Sequence, residues 1–270
     1  GAHHINASRS LGNNVQFTDV NNYQVNYLKK NLYPLRYKKW DKKIEFVDYR
    51  DVFSSRKMYD LIVLGVPPIF HKNLLIECIK KLRFKKILVE KPLFVFNQKF
   101  IDPKKLLRNK IFCGFNHSVS KSFVKFLNIL EKENFRKIRE ININWKEDFA
   151  FILKAHPWIK NLNKSYLSNL NIGGGGIHEY SHAVHLFYLL RSKLLKKKKF
   201  LTKKKIEFKT LQKSKYDSRL FLSQYDKKKK ISLNIDTISN PPIKSIEVIF
   251  DNKKILWERI ANLNLEKISF

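Results

Sequence analysis

The stretch that decides the fold is KKILVEKPL, residues 85–93. Its apolar run is typical of a strand buried in a parallel sheet, and Glu90, Lys91 and Pro92 follow at the carboxyl end. Ligands of open α/β sheets bind beyond the carboxyl ends of the strands. The stretch therefore predicts a carboxylate and an ammonium beside a ligand crevice. The alternative is an ion pair on a solvent-facing loop.

The chain on either side of this strand alternates short apolar runs with helical patterns, which is typical of parallel α/β architecture. The run YDLIVLGVPP at 59–68 ends in two prolines, which force a sharp exit from the sheet. The remaining elements predicted here are strands at 15–20, 44–49 and 110–116 and helices at 21–32, 71–82 and 104–109.

The pattern changes after residue 117. A helix predicted at 120–133 leads into IREININWKEDF, residues 138–149, where strict alternation replaces solid apolar runs. Five more alternating segments follow from Lys203 on, and they predict an antiparallel sheet with one solvated face. The predicted fold class is α/β: a Rossmann-type parallel-sheet domain at 1–117, then an α+β domain at 118–270 with a largely antiparallel open sheet. We expect the second domain to bind substrate and to mediate homo-oligomerisation.

The composition excludes several classes of protein. A hydrophobic content of 43% is typical of a folded globular chain, and no apolar run approaches the roughly 20 residues that span a bilayer. The start shows no secretory signal, and Cys78 and Cys113 lie in apolar runs without metal-type spacing. These features predict a cytoplasmic protein with reduced cysteines and no membrane partner.

The net charge of +32 raises the question of nucleic-acid binding. Only eleven of the 55 basic residues are Arg, and the Lys residues cluster in runs that resemble turns between strands. A dedicated phosphate-binding surface would use more Arg, whose planar fork grips phosphate with two hydrogen bonds. We therefore predict no specific nucleic-acid partner.

The first residues, GAHHINASRSLG, stand where a dinucleotide-binding loop is expected. Gly1 fits the first glycine of G-x-G-x-x-G, whereas His3 and Asn6 occupy the other two glycine positions. Asp19, at the end of a predicted strand, suits the adenosine ribose hydroxyls and favours NAD over NADP. Its alternative role is to cap the next helix. The strand expected before Gly1 is absent from the sequence, which suggests a fragment.

Half of the eight glycines lie in one run, NIGGGGIHEYSHAVH at 171–185, where we expect close backbone approach beside a ligand. HEYSH matches the helical zinc motif H-E-x-x-H, so a zinc hydrolase is one hypothesis. The extended form of the motif fails, because His185 and Tyr188 replace its Gly and third His. We therefore predict no metal site. In the alternative interpretation His178 and His185 lie on the polar face of a helix and have no direct catalytic role.

Five motifs in order resemble the Gfo/Idh/MocA family of oxidoreductases, which includes glucose–fructose oxidoreductase and inositol dehydrogenase. They are GAHHIN with TDVN, GVPPIFH, LVEKPLF, CGFNHS, and GGGGIHEYSHAVH. The resemblance covers essentially the whole chain, and LVEKPL is its most specific part. It implies an NAD-dependent enzyme, with NADP less favoured, that acts on a sugar-like or polyol-like small molecule. The competing hypothesis is an inactive member that serves as a binding or regulatory protein.

The resemblance also implies roles for individual residues. Lys91 would contact nicotinamide ribose and substrate, and His182 would be the acid/base, with an imidazole pKa near its ordinary value of about 6.5. Glu179 or His178 would tune it, since many members carry Asp at the position of His178 and one branch carries Glu at that of Glu179. His185 stands where an Asp is often found. The other candidates are cofactor contacts at Gly1, His3, Asp19, Val66, Pro67, His71, Glu90 and Asn116, and substrate contacts at Asn116, His156, Trp158 and Tyr166.

Overall fold

The computed structural model describes residues 1–98, 110–155, 161–162, 165–195, 200–211, 214–260 and 265–270. The chain forms two compact units. The first contains Gly1–Glu90 and the strand before Gly114, and the second contains the segment that starts at Lys91 and the chain described from Gly114 onward. The sequence predicts a single division after residue 117. It lies near the boundary at Gly114 and misses the boundary between Glu90 and Lys91. The helix predicted at 104–109 lies outside the described residues.

The described strands of the first unit pair in parallel, as the sequence predicts. β1 (Val15–Phe17) pairs with β2 (Ile44–Phe46), while β3 (Met58–Leu64) pairs with β4 (Arg83–Val89), which pairs with β5 (Ile111–Cys113). Among the described strands these two sets are not hydrogen-bonded to each other. The strand expected before Gly1 stays a prediction.

The helices of the first unit begin where the sequence supplies caps. Asn21 accepts a hydrogen bond from the backbone N–H of Tyr23, and Asp48 accepts one from Arg50. A π-helical turn at Leu28–Leu32 joins two of the helices. Among the described residues of this unit the α-helices are α1 (Ala2–Ser10), α2 (Asn22–Tyr27), α3 (Tyr33–Tyr37), α4 (Tyr49–Ser54) and α5 (Pro68–Lys81).

The second unit is built on a seven-stranded sheet in the order β12-β11-β10-β6-β9-β8-β7. Neighbouring strands of this sheet are antiparallel, except that β6 and β9 are parallel. This confirms the predicted largely antiparallel sheet. The strands are β6 (Glu140–Lys146), β7 (Leu201–Leu211), β8 (Ser214–Tyr225), β9 (Lys230–Asp236), β10 (Ile243–Ile249), β11 (Lys254–Ile260) and β12 (Leu265–Ser269).

One face of this sheet carries the main core. Alternation along β6 buries Ile141, Ile143 and Trp145, whereas Asn142 and Asn144 point to the other face and pair with polar side chains of β9. Helix α9 buries its apolar stripe in the same core, which also contains Trp257 of β11. The helices of this unit are α6 (Lys121–Lys132), α7 (Phe149–Ala155), α8 (Gly176–Glu179) and α9 (Ser181–Leu194).

None of the helices in the described ranges is long and apolar enough to cross a membrane.

Candidate functional site

The ammonium of Lys91 is held at the carboxyl end of α8. Its Nζ donates a hydrogen bond to the backbone carbonyl of Glu179 at 2.7 Å and lies 3.2 Å from Oε1 of the same residue. The Tyr166 hydroxyl donates to Glu179 Oε2 at 3.3 Å. The Lys91 and Glu179 side chains are only 18% and 12% exposed, so little water screens the pair. Burial and the Glu179 carboxylate raise the pKa of Tyr166, which keeps its hydroxyl a donor.

His182 lies in the first turn of α9 and is neutral at physiological pH. Burial, reinforced by the nearby Lys91 ammonium, lowers the pKa of His182 to about 2. Its buried Nδ1 has no hydrogen-bond partner among the described residues. The expected pKa near 6.5 is therefore wrong, because the sequence does not show how deeply the ring is buried beside a cation.

His117 and Phe115 complete the surroundings of His182. The ring of His117 lies edge-on to His182 with centroids 4.8 Å apart, and Phe115 stacks on His185 at 4.3 Å. Burial and then Arg259 lower the pKa of His117 to about 4. Sequence reasoning did not select His117, although it follows Asn116 directly in the CGFNHS motif.

A second buried ion pair lies in the same region. Lys244 of β10 donates to Glu147 Oε2 at 2.7 Å, and its Nζ lies 5.9 Å from the centre of the Trp145 ring. The Lys244 ammonium also contributes to the low pKa values of His117 and His182. No sequence motif marks this lysine, because strand pairing brings β10 beside β6.

The histidines of HEYSH do not lie on one continuous helix. Helix α8 ends at Glu179, Tyr180 has φ −97° and ψ 28°, and α9 starts at Ser181. The Nδ1 atom of His178 is 2.7 Å from the Gly174 carbonyl, so this nitrogen serves a local hydrogen bond. Within the described ranges no group of three or more His, Cys, Asp or Glu side chains is placed to hold a metal. The geometry that a zinc hydrolase requires is therefore not formed by these residues.

The glycine run is packed against protein atoms. A Cβ on Gly174 would lie 2.0 Å from the carbonyl oxygen of Tyr166, and one on Gly175 would lie 2.0 Å from Asp217 Oδ1. Gly175 also has φ +87°, which L-residues with a side chain rarely adopt. The close approach predicted at these glycines thus involves the protein's own backbone and a buried carboxylate.

Asp217 leads to a prediction about pH and stability. Burial raises the pKa of Asp217 from 3.8 to about 6, and the side chain is buried. The folded state therefore binds more protons than the unfolded state between these two values, and stability falls as pH rises through them. We expect the unfolding free energy of wild type, relative to Asp217→Asn, to decrease from pH 4 to pH 7 by up to about 3 kcal/mol. Urea unfolding at several pH values measures this, and a difference that does not change with pH contradicts it.

Two polar side chains at the start of the chain, those of His3 and Asn6, form hydrogen bonds with α3. Gly1 is the N-cap of α1. The ring of His3 contacts Arg36 at 3.0 Å and bonds the Tyr37 hydroxyl, and Asn6 accepts a hydrogen bond from Tyr33. The side chains that replace two fingerprint glycines are thereby accommodated.

The remaining cofactor candidates of the first unit differ in their exposure and in their hydrogen-bond partners. Asp19 is exposed and accepts a hydrogen bond from the backbone N–H of Asn21, which is the capping role considered as its alternative. Glu90 forms an ion pair with His4. His71 is fully buried and bonded to the Val66 carbonyl at 2.8 Å. The predicted contact of His71 with a cofactor stays a prediction. In the structure His71 supports the loop on which exposed Pro67 lies.

Two predicted substrate contacts, His156 and Trp158, lie outside the described residues. Asn116 is exposed at the start of a 3₁₀ turn, directly before His117. Tyr166, predicted as a substrate contact, has its hydroxyl committed to Glu179.

No family model and no curated protein matches the sequence, whereas several solved structures share its fold. The WlbA dehydrogenase from Bordetella pertussis, solved with NADH and UDP-GlcNAcA, matches with a TM-score of 0.65 and 16% identity, over 94% of this chain and 73% of that one. Levoglucosan dehydrogenase in complex with NADH matches at 0.66 and 13%, over 95% and 67%. The myo-inositol 2-dehydrogenase from Lactobacillus plantarum matches at 0.62 and 12%, over 90% and 67%. The chain shares its fold with these three dehydrogenases.

The Gfo/Idh/MocA resemblance drawn from the motifs is thus confirmed at the level of the fold. Identities of 12 to 16% carry no substrate or residue role from those proteins to this chain.

Proposed function

We propose that the chain is an NAD(H)-dependent oxidoreductase that transfers hydride between the nicotinamide and a hydroxyl or ketone of a sugar, sugar derivative or polyol. The observation that carries the proposal is the ammonium of Lys91, held by Glu179 in the same unit as neutral His182 and contributing to its low pKa. The shared fold supports it, since four similar structures were solved with NADH or NAD+. Two of them, both WlbA dehydrogenases, also contain UDP-GlcNAcA.

The residues of the first unit fit a dinucleotide. The amino end of α1 offers backbone N–H groups of the kind that bind phosphate, and Arg36 adds positive charge beside His3. The exposed Asp19 carboxylate suits ribose hydroxyls and repels a 2′-phosphate, which favours NAD over NADP. When bound, NAD accepts or supplies the hydride.

The residues of the second unit would handle the proton and the substrate oxygen. Lys91 would orient this oxygen and stabilise negative charge that develops on it. His182, being neutral, can accept the hydroxyl proton. Its low pKa makes it a weak base, and the Lys91 ammonium offsets this weakness because it makes the bound hydroxyl more acidic. Glu179 and Tyr166 would hold Lys91 in place.

Binding of NADH tests this proposal directly. We expect the natural full-length protein to bind NADH saturably below about 1 mM, measured by nicotinamide fluorescence. Asp19→Ala should weaken NADH binding about tenfold, because the ribose loses its acceptor. Asp41→Ala, which removes a half-buried carboxylate paired with Arg9, is the control and should bind normally. Absence of saturation at millimolar NADH contradicts the proposal.

A non-catalytic sugar-binding protein is the second candidate, and one observation favours it. His3 and Asn6 replace glycines of the dinucleotide fingerprint and are tied to α3. Such a protein would bind a sugar or polyol in calorimetry while failing to bind NADH.

A further inference from the structure

We propose that Asp217 of β8 is a positioning residue of the candidate active site: its carboxylate fixes the glycine run and the start of α8, and thereby the places of Glu179 and His182. The inference rests on the proposed function for the roles of those two residues. Asp217 belongs to none of the motifs discussed above.

The carboxylate of Asp217 accepts hydrogen bonds from the beginning of α8. Its Oδ2 accepts a hydrogen bond from the backbone N–H of Ile177 at 2.6 Å, and the backbone of Gly176 also bonds the carboxylate. Its Oδ1 occupies the position that a Cβ of Gly175 would need. A carboxylate at exposed backbone N–H groups is the usual way to anchor the amino end of a helix.

Glu179, Tyr180 and His182 link the start of α8 to the candidate site. The backbone N–H of Glu179 donates to the Gly175 carbonyl at 3.0 Å, and that of Tyr180 donates to the Gly176 carbonyl at 2.8 Å. Glu179 in turn holds Lys91 through both its carbonyl and its carboxylate. His182 follows in the first turn of α9. A displacement at Asp217 would therefore move both the partner of Lys91 and the proposed base.

The carboxylate is poorly explained by stability alone. Asp217 is 1% exposed, and its buried Oδ1 has no hydrogen-bond partner among the described residues. An unpartnered buried oxygen destabilises the folded state, and such groups are characteristic of functional sites.

Amide hydrogen exchange of the wild-type, full-length protein gives a first test that needs no variant. The N–H of Ile177 is in the first turn of a short helix, where amides usually exchange quickly. We expect it to be protected at least about a hundredfold because it donates to Asp217. Rapid exchange at Ile177 overturns the inference.

The second test follows the imidazole signals by NMR in Asp217→Asn. The matched control is Asp236→Asn, since Asp236 is also buried in the adjacent strand β9 but caps Ile238 and Ser239 instead. We expect the His182 ring signals at pH 7, where Asp217 is a carboxylate, to move from their wild-type positions in Asp217→Asn, because a loosened α8–α9 start shifts the ring relative to Phe115 and His117. In Asp236→Asn the His182 ring signals should keep their wild-type positions.

Unchanged His182 ring signals in Asp217→Asn, or an equal change in Asp236→Asn, overturn the positioning role. Both readouts are independent of cofactor and substrate. A protein that fails to bind NADH therefore contradicts the proposed function while leaving this test interpretable.

Discussion

Replacing Lys91 with Met is expected to lower turnover at least about a hundredfold, because the developing charge on the substrate oxygen loses its only proposed cation. The measurement is reduction of NAD by the best substrate in a panel of sugars, sugar derivatives and polyols. Lys193→Met is the control, since Lys193 also forms an ion pair, with Glu131, on a more exposed part of the second unit. This control should turn over normally.

The Lys91→Met substitution also removes the ammonium that pairs with the Glu179 carboxylate. Breaking a buried pair in this way costs about 3–5 kcal/mol in other proteins. Lys91→Met/Glu179→Gln removes both charges, so we expect it to regain stability in urea unfolding while remaining inactive. Turnover within a few-fold of wild type in either variant contradicts the role proposed for Lys91.

Replacing Gly174 with Ala is expected to destabilise the second unit by about 3 kcal/mol or more. The new Cβ would lie 2.0 Å from the carbonyl oxygen of Tyr166 and 2.6 Å from that of Leu167. Both obstacles are backbone atoms, which cannot rotate away as a side chain can. Tyr166 and the glycine run would both move, so the hydrogen bond from Tyr166 to Glu179 should be lost as well.

Gly12→Ala is the control for this substitution. Gly12 has φ +80° but nothing within 4 Å of an added Cβ, so only backbone strain of about 1 kcal/mol is expected. Urea unfolding of each variant measures both effects. If Gly174→Ala costs no more than Gly12→Ala, the packing of the glycine run differs from that described.

Local patterns were sufficient to predict most of the architecture. Continuous apolar runs predicted the parallel strands β3 and β4, and alternation predicted the antiparallel sheet that contains β6. Side-chain periodicity reports burial on one or both faces of a strand, and it can be counted along the chain. The position of Lys91, two residues after the end of β4, followed from the same pattern.

The helical spacing of HEYSH was misleading, because a local pattern does not show whether the helix is continuous. H-E-x-x-H places two histidines on one face only if the helix is continuous. The chain turns at Tyr180, whose buried hydroxyl donates to the Glu147 carbonyl. That hydrogen bond joins residues far apart in sequence, so no local pattern indicates it.

The sequence by itself determined which segments form parallel and antiparallel strands, and which Lys and His residues are candidates for chemistry. Only the tertiary structure decided that Glu179, and not His178, faces Lys91, that Asp217 lies behind the glycine run, and that His182 is neutral. The physical reason is that periodicity depends on near neighbours along the chain. Desolvation, ion pairing and steric exclusion depend on groups that folding brings together from distant segments.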